Sequence, residues 1–174
     1  MKWTYEDYAR LPVDRQRHEI IDGRHFVSPA PNTYHQQVSA RLYLQLHALI
    51  EGGGHGTVLY APLDIVLSRH DVVQPDLIAV LKARREIVTQ ANVQGAPDLA
   101  VEILSPSTRQ LDRRHKHALF ERYGVPEYWI VDPDAHAVEQ YVMAAEGYGL
   151  PRRESERVAL HIVPGALLDL IKVW

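Results

Sequence analysis

The stretch DLAVEIL, residues 98–104, leaves this chain the fewest options. It is an apolar run of the kind that builds a buried strand, yet a glutamate, Glu102, sits in its middle. Strand side chains alternate between faces. Leu99, Val101 and Ile103 therefore share one side, and Ala100, Glu102 and Leu104 the other. An ionised carboxylate is costly to bury without a charged partner or a metal, so a fold built around this strand has to supply one.

Turn and cap signals divide the rest of the chain. TYEDYARL, 4–11, predicts a short helix with Thr4 as N-cap and Asp7 at its third position. HEIIDGRHFVS, 18–28, predicts two strands around Asp22-Gly23, a hairpin dipeptide. After SPAPN, Asn32 or Thr33 can cap a long amphipathic helix to about Glu51, with Val38, Leu42, Leu46 and Leu49 at helical spacing. The glycines of GGGHG then end it. TVLYAPLDIVLS, 57–68, reads as a strand interrupted near Pro62, and PDLIAV, 75–80, as a short buried strand. A polar connection, 81–97, with a helical turn around Arg84 to Val88, leads into DLAVEIL.

STRQLDRRHKHALFERYG predicts a helix with Ser107 or Thr108 as cap and Gly124 as stop. EYWIVD, 127–132, and AVEQYVM, 137–143, are strands, and Tyr128 and Trp129 are expected in the core. The tail from Arg157 to Trp174 reads as a further strand and a closing hydrophobic segment. This order predicts an α/β (α+β) fold: a mixed central β-sheet flanked by helices, with an N-terminal β-hairpin.

Composition narrows the function classes. A length of 174 residues, with no repeat or linker, suits a single domain over 1–174. Cysteine is absent, which removes disulfides, thiolate metal sites and thiol nucleophiles and suits a reducing cytoplasm. The opening MKWTYEDYARLPVDRQRHE lacks the apolar core of a signal peptide, and no segment has the apolar length to cross a bilayer. A net charge of -3 does not advertise a nucleic-acid binder, so any such role needs a local basic patch.

If 75–80 and 98–104 pair antiparallel, Asp76 and Glu102 meet on one face. Two carboxylates that close repel unless one is protonated or a cation lies between them, and a hard divalent cation such as magnesium takes oxygen ligands. Each residue alone has an ordinary explanation, Asp76 as the end of a turn and Glu102 as the partner of an arginine. The pair beside a cationic helix favours a site. That helix carries Arg109, Arg113, Arg114 and Lys116, the most basic segment of the chain. Asp112 and Lys116, four apart, have the spacing of a surface ion pair. The arginines are either a solvated face or phosphate contacts.

Pro75-Asp76 followed by Glu102-Ile103-Leu104 resembles the PD-(D/E)XK nuclease signature. More closely, the chain resembles a bacterial family of small restriction-endonuclease-like proteins, formerly a domain of unknown function. The matching features are HEIIDGR with SPAP, His35, Pro75-Asp76, GAPDLAVEILSPST, Asp112, Lys116, the run Tyr123 to Trp129, and Asp132-Pro133.

The resemblance implies a restriction-endonuclease-like core and Mg2+- or Mn2+-dependent hydrolysis of DNA. Asp76, Glu102 and the carbonyl of Ile103 would hold the metal, and Arg109, Arg113 and Arg114 would contact nucleic acid. One departure matters: Leu104 stands where the signature has lysine, and Lys116 is the candidate replacement. Glu19 either completes the acidic cluster or is an exposed strand residue. His35 is expected to be structural, and Asp64 a polar-face residue.

The alternative is a catalytically inactive nucleic-acid- or partner-binding protein on the same fold. A hydrolase of small substrates has less support, since neither a P-loop nor a G-x-S-x-G elbow is present. The apolar tail ALLDLIKVW can pack a homodimer or its own core.

Overall fold

The computed structural model describes residues 2–12, 14 and 16–174. Three α-helices, α1 (Tyr5–Tyr8), α2 (Thr33–Ile50) and α3 (His117–Arg122), accompany fourteen strands among these residues. The strands are β1 (Arg17–Ile21), β2 (Arg24–Ser28), β3 (Gly56–Tyr60), β4 (Ile65–Ser68), β5 (Asp71–Val73), β6 (Leu77–Leu81) and β7 (Val93–Gln94). They continue as β8 (Leu99–Ile103), β9 (Glu127–Asp132), β10 (Ala137–Ala144), β11 (Gly147–Tyr148), β12 (Arg152–Glu154), β13 (Arg157–Ala159) and β14 (Leu167–Asp169).

The larger sheet has the order β11-β10-β9-β8-β6-β3, with β12 added along β10. β8 and β9 run parallel, while β6 pairs antiparallel with β8 and β9 with β10. A parallel pair needs a crossover, and residues 105–126 provide it: a π-helical segment, Leu111–Lys116, runs directly into α3. A second sheet, β2-β1-β5-β4-β7, covers part of the larger one. The mixed sheet flanked by helices and the N-terminal hairpin are as the sequence predicts.

Strand alternation sorts the core onto the two faces of the larger sheet. On one, Leu99, Val101 and Ile103 pack with Val38, Leu42, Leu46 and Ile50 of α2 and with Leu168, Leu170 and Val173 of the tail. On the other, Ala100 and Leu104 pack with Leu119 and Phe120 of α3 and with Ile21, Ile65 and Val73 of the second sheet. Burying each such Leu or Ile contributes about 1.5–3 kcal/mol. The tail thus packs its own chain's core. Tyr128 and Trp129 are fully buried, as expected of core residues.

Local signals act where they were read. Thr4 and Asp7 form a reciprocal capping box, and Asn32 rather than Thr33 caps α2. Asp22 and Gly23 both take positive φ (54° and 72°), the geometry of a type I′ hairpin turn. Other features differ from expectation. The interruption at Pro62 sends β3 and β4 into different sheets. β5, β11 and β12 are short additions, of three, two and three residues, with too few positions to show a period. Ser105, not Ser107 or Thr108, caps the crossover, its Oγ accepting from Thr108 N–H and its carbonyl from Arg109 N–H. Among the described residues no helix is long and apolar enough to cross a membrane.

Candidate active site

In the β6–β8 ladder Leu77 lies opposite Val101, and one step further Asp76 comes beside Glu102. Asp76 is buried and its oxygens are occupied. Arg17 Nη2 donates to Oδ1 at 2.8 Å, and the Ile103 N–H donates to Oδ2 at 2.7 Å. His35 Nε2 lies 3.2 Å from the same Oδ2 and 3.0 Å from the Ile103 carbonyl. Both of those oxygens can only accept, so the Nε2 carries the proton. Its Nδ1 is buried without a partner. Burial pushes the Asp76 carboxyl up, but the His35 hydrogen bond, the Arg17 charge and the Ile103 N–H more than offset it and bring it down to about 2.

Glu102 has the opposite balance. It meets Lys116 Nζ at 2.8 Å, and the same ammonium touches Glu19 at 2.9 Å and Asp112 at 3.4 Å. All four side chains are essentially sealed, Lys116 at 0% exposure and the three acids at 1%. Burial pushes Glu102 well above the usual carboxylate range. Lys116 pulls it down, and Asp112, Asp76 and Glu19 push it up again. Burial also raises Asp112 against the pull of Lys116, and neither Asp112 side-chain oxygen has a hydrogen bond. Burial alone would depress the Lys116 ammonium, but the three carboxylates hold it firmly protonated.

The expected Asp112–Lys116 surface pair is therefore corrected. The π turn and α3 press this stripe, with Leu119 and Phe120, onto the sheet, so the pair lies inside. Glu19 is likewise not an exposed strand residue: its Oε1 also accepts from the Gln74 N–H at 2.7 Å.

Four buried carboxylates, Glu19, Asp76, Glu102 and Asp112, thus share two permanent cations, Lys116 and Arg17. Oxygen donors in negative excess, with Asp112 oxygens that accept no hydrogen bond and meet only the Lys116 ammonium at 3.4 Å, fit a hard divalent cation in their chemistry. Among the described residues no three His, Asp or Glu side chains already converge as a cage. The Arg17–Asp76 pair occupies one oxygen that such an ion would use. A cleft of about 180 Å3, lined by Arg17, Asn32, His35, Ile103, Ser105 and Thr108 among others, leads to this point.

The family model described as "Uma2: Putative restriction endonuclease" matches residues 5–170. The chain belongs to the Uma2 family. It is similar in fold to the crystal structure described as a putative nuclease belonging to DUF820 from Anabaena variabilis ATCC 29413. The two share 18% identity and a TM-score of 0.81, over 98% of this chain and 96% of that one. No curated protein matches the sequence.

In this Uma2 chain the fold brings Asp76, Glu102, Lys116 and Glu19 into one cluster, with both backbone polar groups of Ile103 beside it. Leu104 is buried in the core facing α3. The arginines divide. Arg109 reaches Asp132 at 3.3 Å and Asp134 at 3.7 Å, Arg113 holds Glu139 through two hydrogen bonds of 2.6 and 3.1 Å, and Arg114 is exposed. Asp64 accepts from Tyr8 and from Gln74, whose backbone N–H also donates to Glu19. Arg17 was missed by sequence reasoning, although it lies two residues before Glu19 and so on the same strand face. Asp112 was read as half of a surface pair and as a residue matching the family, not as part of the cluster.

Proposed function

We propose that this protein is an endonuclease that hydrolyses DNA phosphodiester bonds with a bound Mg2+ or Mn2+. The observation that carries the reading is Lys116 Nζ, 2.8 Å from Glu102 and delivered by the crossover helix. It offers the positive charge that a PD-(D/E)XK site takes from the position held here by Leu104. Family membership supports the same reading.

Asp76, Glu102 and the Ile103 carbonyl would hold the ion, which supplies polarisation of the phosphate and a more acidic bound water. The chain's own groups do the rest. Lys116 fixes Glu102 and, held by Glu19 and Asp112, offsets negative charge growing on the phosphate. Arg17 keeps Asp76 ionised, and on releasing Oδ1 its guanidinium lines the cleft, where it can pair with a phosphate oxygen. Arg109, Arg113 and Arg114 would contact the strand further out. The reading takes residues 1–174 as one cytoplasmic domain, with a homodimer supplying the second site for a double-strand cut.

A second reading, a catalytically inactive nucleic-acid- or partner-binding protein, is favoured by one observation: both Asp76 oxygens already have protein partners. Incubation with supercoiled plasmid separates the two. The enzyme reading expects nicking in Mg2+ or Mn2+, abolished by EDTA and by Asp76→Ala, Glu102→Ala or Lys116→Met in variants that keep the wild-type circular dichroism spectrum. DNA binding in Ca2+ with no cleavage in either metal would establish the binding reading instead.

A further inference from the structure

A groove of about 340 Å3 runs from Asp76, Arg17 and His35 along α2 to two tyrosines, Tyr43 and Tyr60. Gln36, Ser39, Ala40 and Tyr43 form its helical wall, and their spacing places them on one stripe of α2. Ser39 and Ala40 are small and leave the middle open. At the far end the Tyr43 and Tyr60 rings meet edge-on, centroids 5.0 Å apart and planes at 76°. Tyr60 is 60% exposed, a large aromatic surface left in water beside a cluster of charged groups.

Position ties this ring to the site. Tyr60 ends β3 opposite Leu77 of β6, the residue after Asp76. The next residue, Ala61, donates its N–H to the Asp76 carbonyl at 3.0 Å. Tyr60 and Asp76 thus line one groove, and Arg17 lines both that groove and the cleft.

We propose that this groove is a binding subsite for an unpaired nucleobase of single-stranded DNA, next to a phosphate paired with Arg17. Aromatic rings accept any base by stacking, and a cation beside them holds the backbone. The Gln36 amide and the Ser39 hydroxyl can meet the edge of a base that is not hydrogen-bonded to a complement. A base inside a duplex keeps its ring faces covered by its neighbours and cannot reach Tyr60. The proposal rests on the nuclease reading only in taking DNA as the ligand.

The test is fluorescence anisotropy in Ca2+ with labelled oligo(dT) and a duplex of the same length, on the full chain. The wild type should bind oligo(dT) more tightly than duplex. Tyr60→Ala should weaken oligo(dT) binding by roughly 5- to 150-fold, the range for loss of one stacked base, and leave duplex binding unchanged. Tyr60→Phe should keep the affinity. Ala40→Leu, at an exposed helix position, should lower it by filling the groove. An unchanged oligo(dT) affinity in Tyr60→Ala, or an equal loss for duplex, overturns the subsite.

Parallel cleavage assays separate this proposal from the nuclease reading. A protein that never cuts, yet binds oligo(dT) through Tyr60, retains the subsite and loses the enzyme. A protein that cuts oligo(dT) in an Asp76-dependent way, with the same KM in Tyr60→Ala, retains the enzyme and loses the subsite.

Discussion

Two buried glutamates on neighbouring strands carry their charge in opposite ways. Glu127, at the start of β9, lies opposite Leu99, whereas Glu102 lies opposite Ile130 three residues further along the same parallel ladder. Glu127 has no cation partner among the described residues but is fully supplied with donors. Its Oε1 accepts from Trp129 Nε1 at 2.7 Å and Gln140 Nε2 at 2.6 Å, and its Oε2 from the N–H groups of His161 and Ile162 at 2.9 and 3.0 Å. Glu102 has one ammonium, shared with two other carboxylates. A carboxylate matched to fixed dipoles is a structural joint, here binding the tail to the sheet. One left short of positive charge is poised to take more, and the contrast separates scaffold from site within a single sheet.

Removing the matched acid should cost most. Glu127→Ala leaves four donors without their shared acceptor, the Trp129 and Gln140 ones buried, and urea denaturation should report a loss of about 3–5 kcal/mol. Cleavage per folded molecule should stay unchanged; a specific loss of activity would erase the distinction.

Next comes metal. At a hundred times its Kd, a bound Mg2+ or Mn2+ should stabilise by about 2.7 kcal/mol, a rise of roughly 5–10 °C in Tm for a chain of this size. Asp76→Ala should abolish the shift and Glu127→Ala should not. A shift that survives in Asp76→Ala would move the ion elsewhere.

Glu102→Gln should behave as no Glu127 variant does, gaining about 1–2 kcal/mol without metal while losing cleavage, because it relieves a buried excess of charge. The pH dependence follows with its sign. Glu102 is raised in the folded state, so its contribution to stability is complete below its ordinary value of 4.5 and is lost as pH rises through the folded value. Asp76 is lowered to about 2, so its contribution is present above its ordinary 3.8 and is lost as pH falls toward 2. Metal-free melting between pH 4 and 8 should show a decline with rising pH that Glu102→Gln flattens; matching curves would count against the cluster's charge excess.

Smallest is the rim. Arg109 is 45% exposed, and Arg109→Ala should cost roughly 0.2–1 kcal/mol of stability. If DNA affinity falls while stability barely moves, Arg109 contacts phosphate; if only stability moves, Asp132 is its whole purpose.

Much of this was legible from residue order. Strand alternation in DLAVEIL and Pro75-Asp76 just before β6 were enough to bring the two acids together once the strands are taken as antiparallel. Lys116 followed from the resemblance, as the candidate for the lysine missing at Leu104. What stayed hidden depends on events between distant segments. Arg17 reaches the site from a separate sheet, as does Glu19, whose place in the cluster the sequence left open, because strand period gives a face without naming what covers it. Asp112 looked like surface because an i, i+4 acid–base pair has the same spacing on either side of a helix. Glu127 gave no sign, since its donors come from residues 129, 140, 161 and 162.

The division of the cluster between two sheets has a consequence for how the chain reaches competence. Asp76 and Glu102 are carried by the larger sheet, Arg17 and Glu19 by the hairpin strand β1 of the smaller one. Until the sheets dock, the inner acids have Lys116 but lack Arg17, and Lys116 lacks Glu19. The site is thus complete only once the sheets dock, the same event that closes the second core. Hydrogen exchange should find the β1–β2 hairpin opening together with the Asp76 pocket, because opening the hairpin withdraws Arg17 and Glu19 from it.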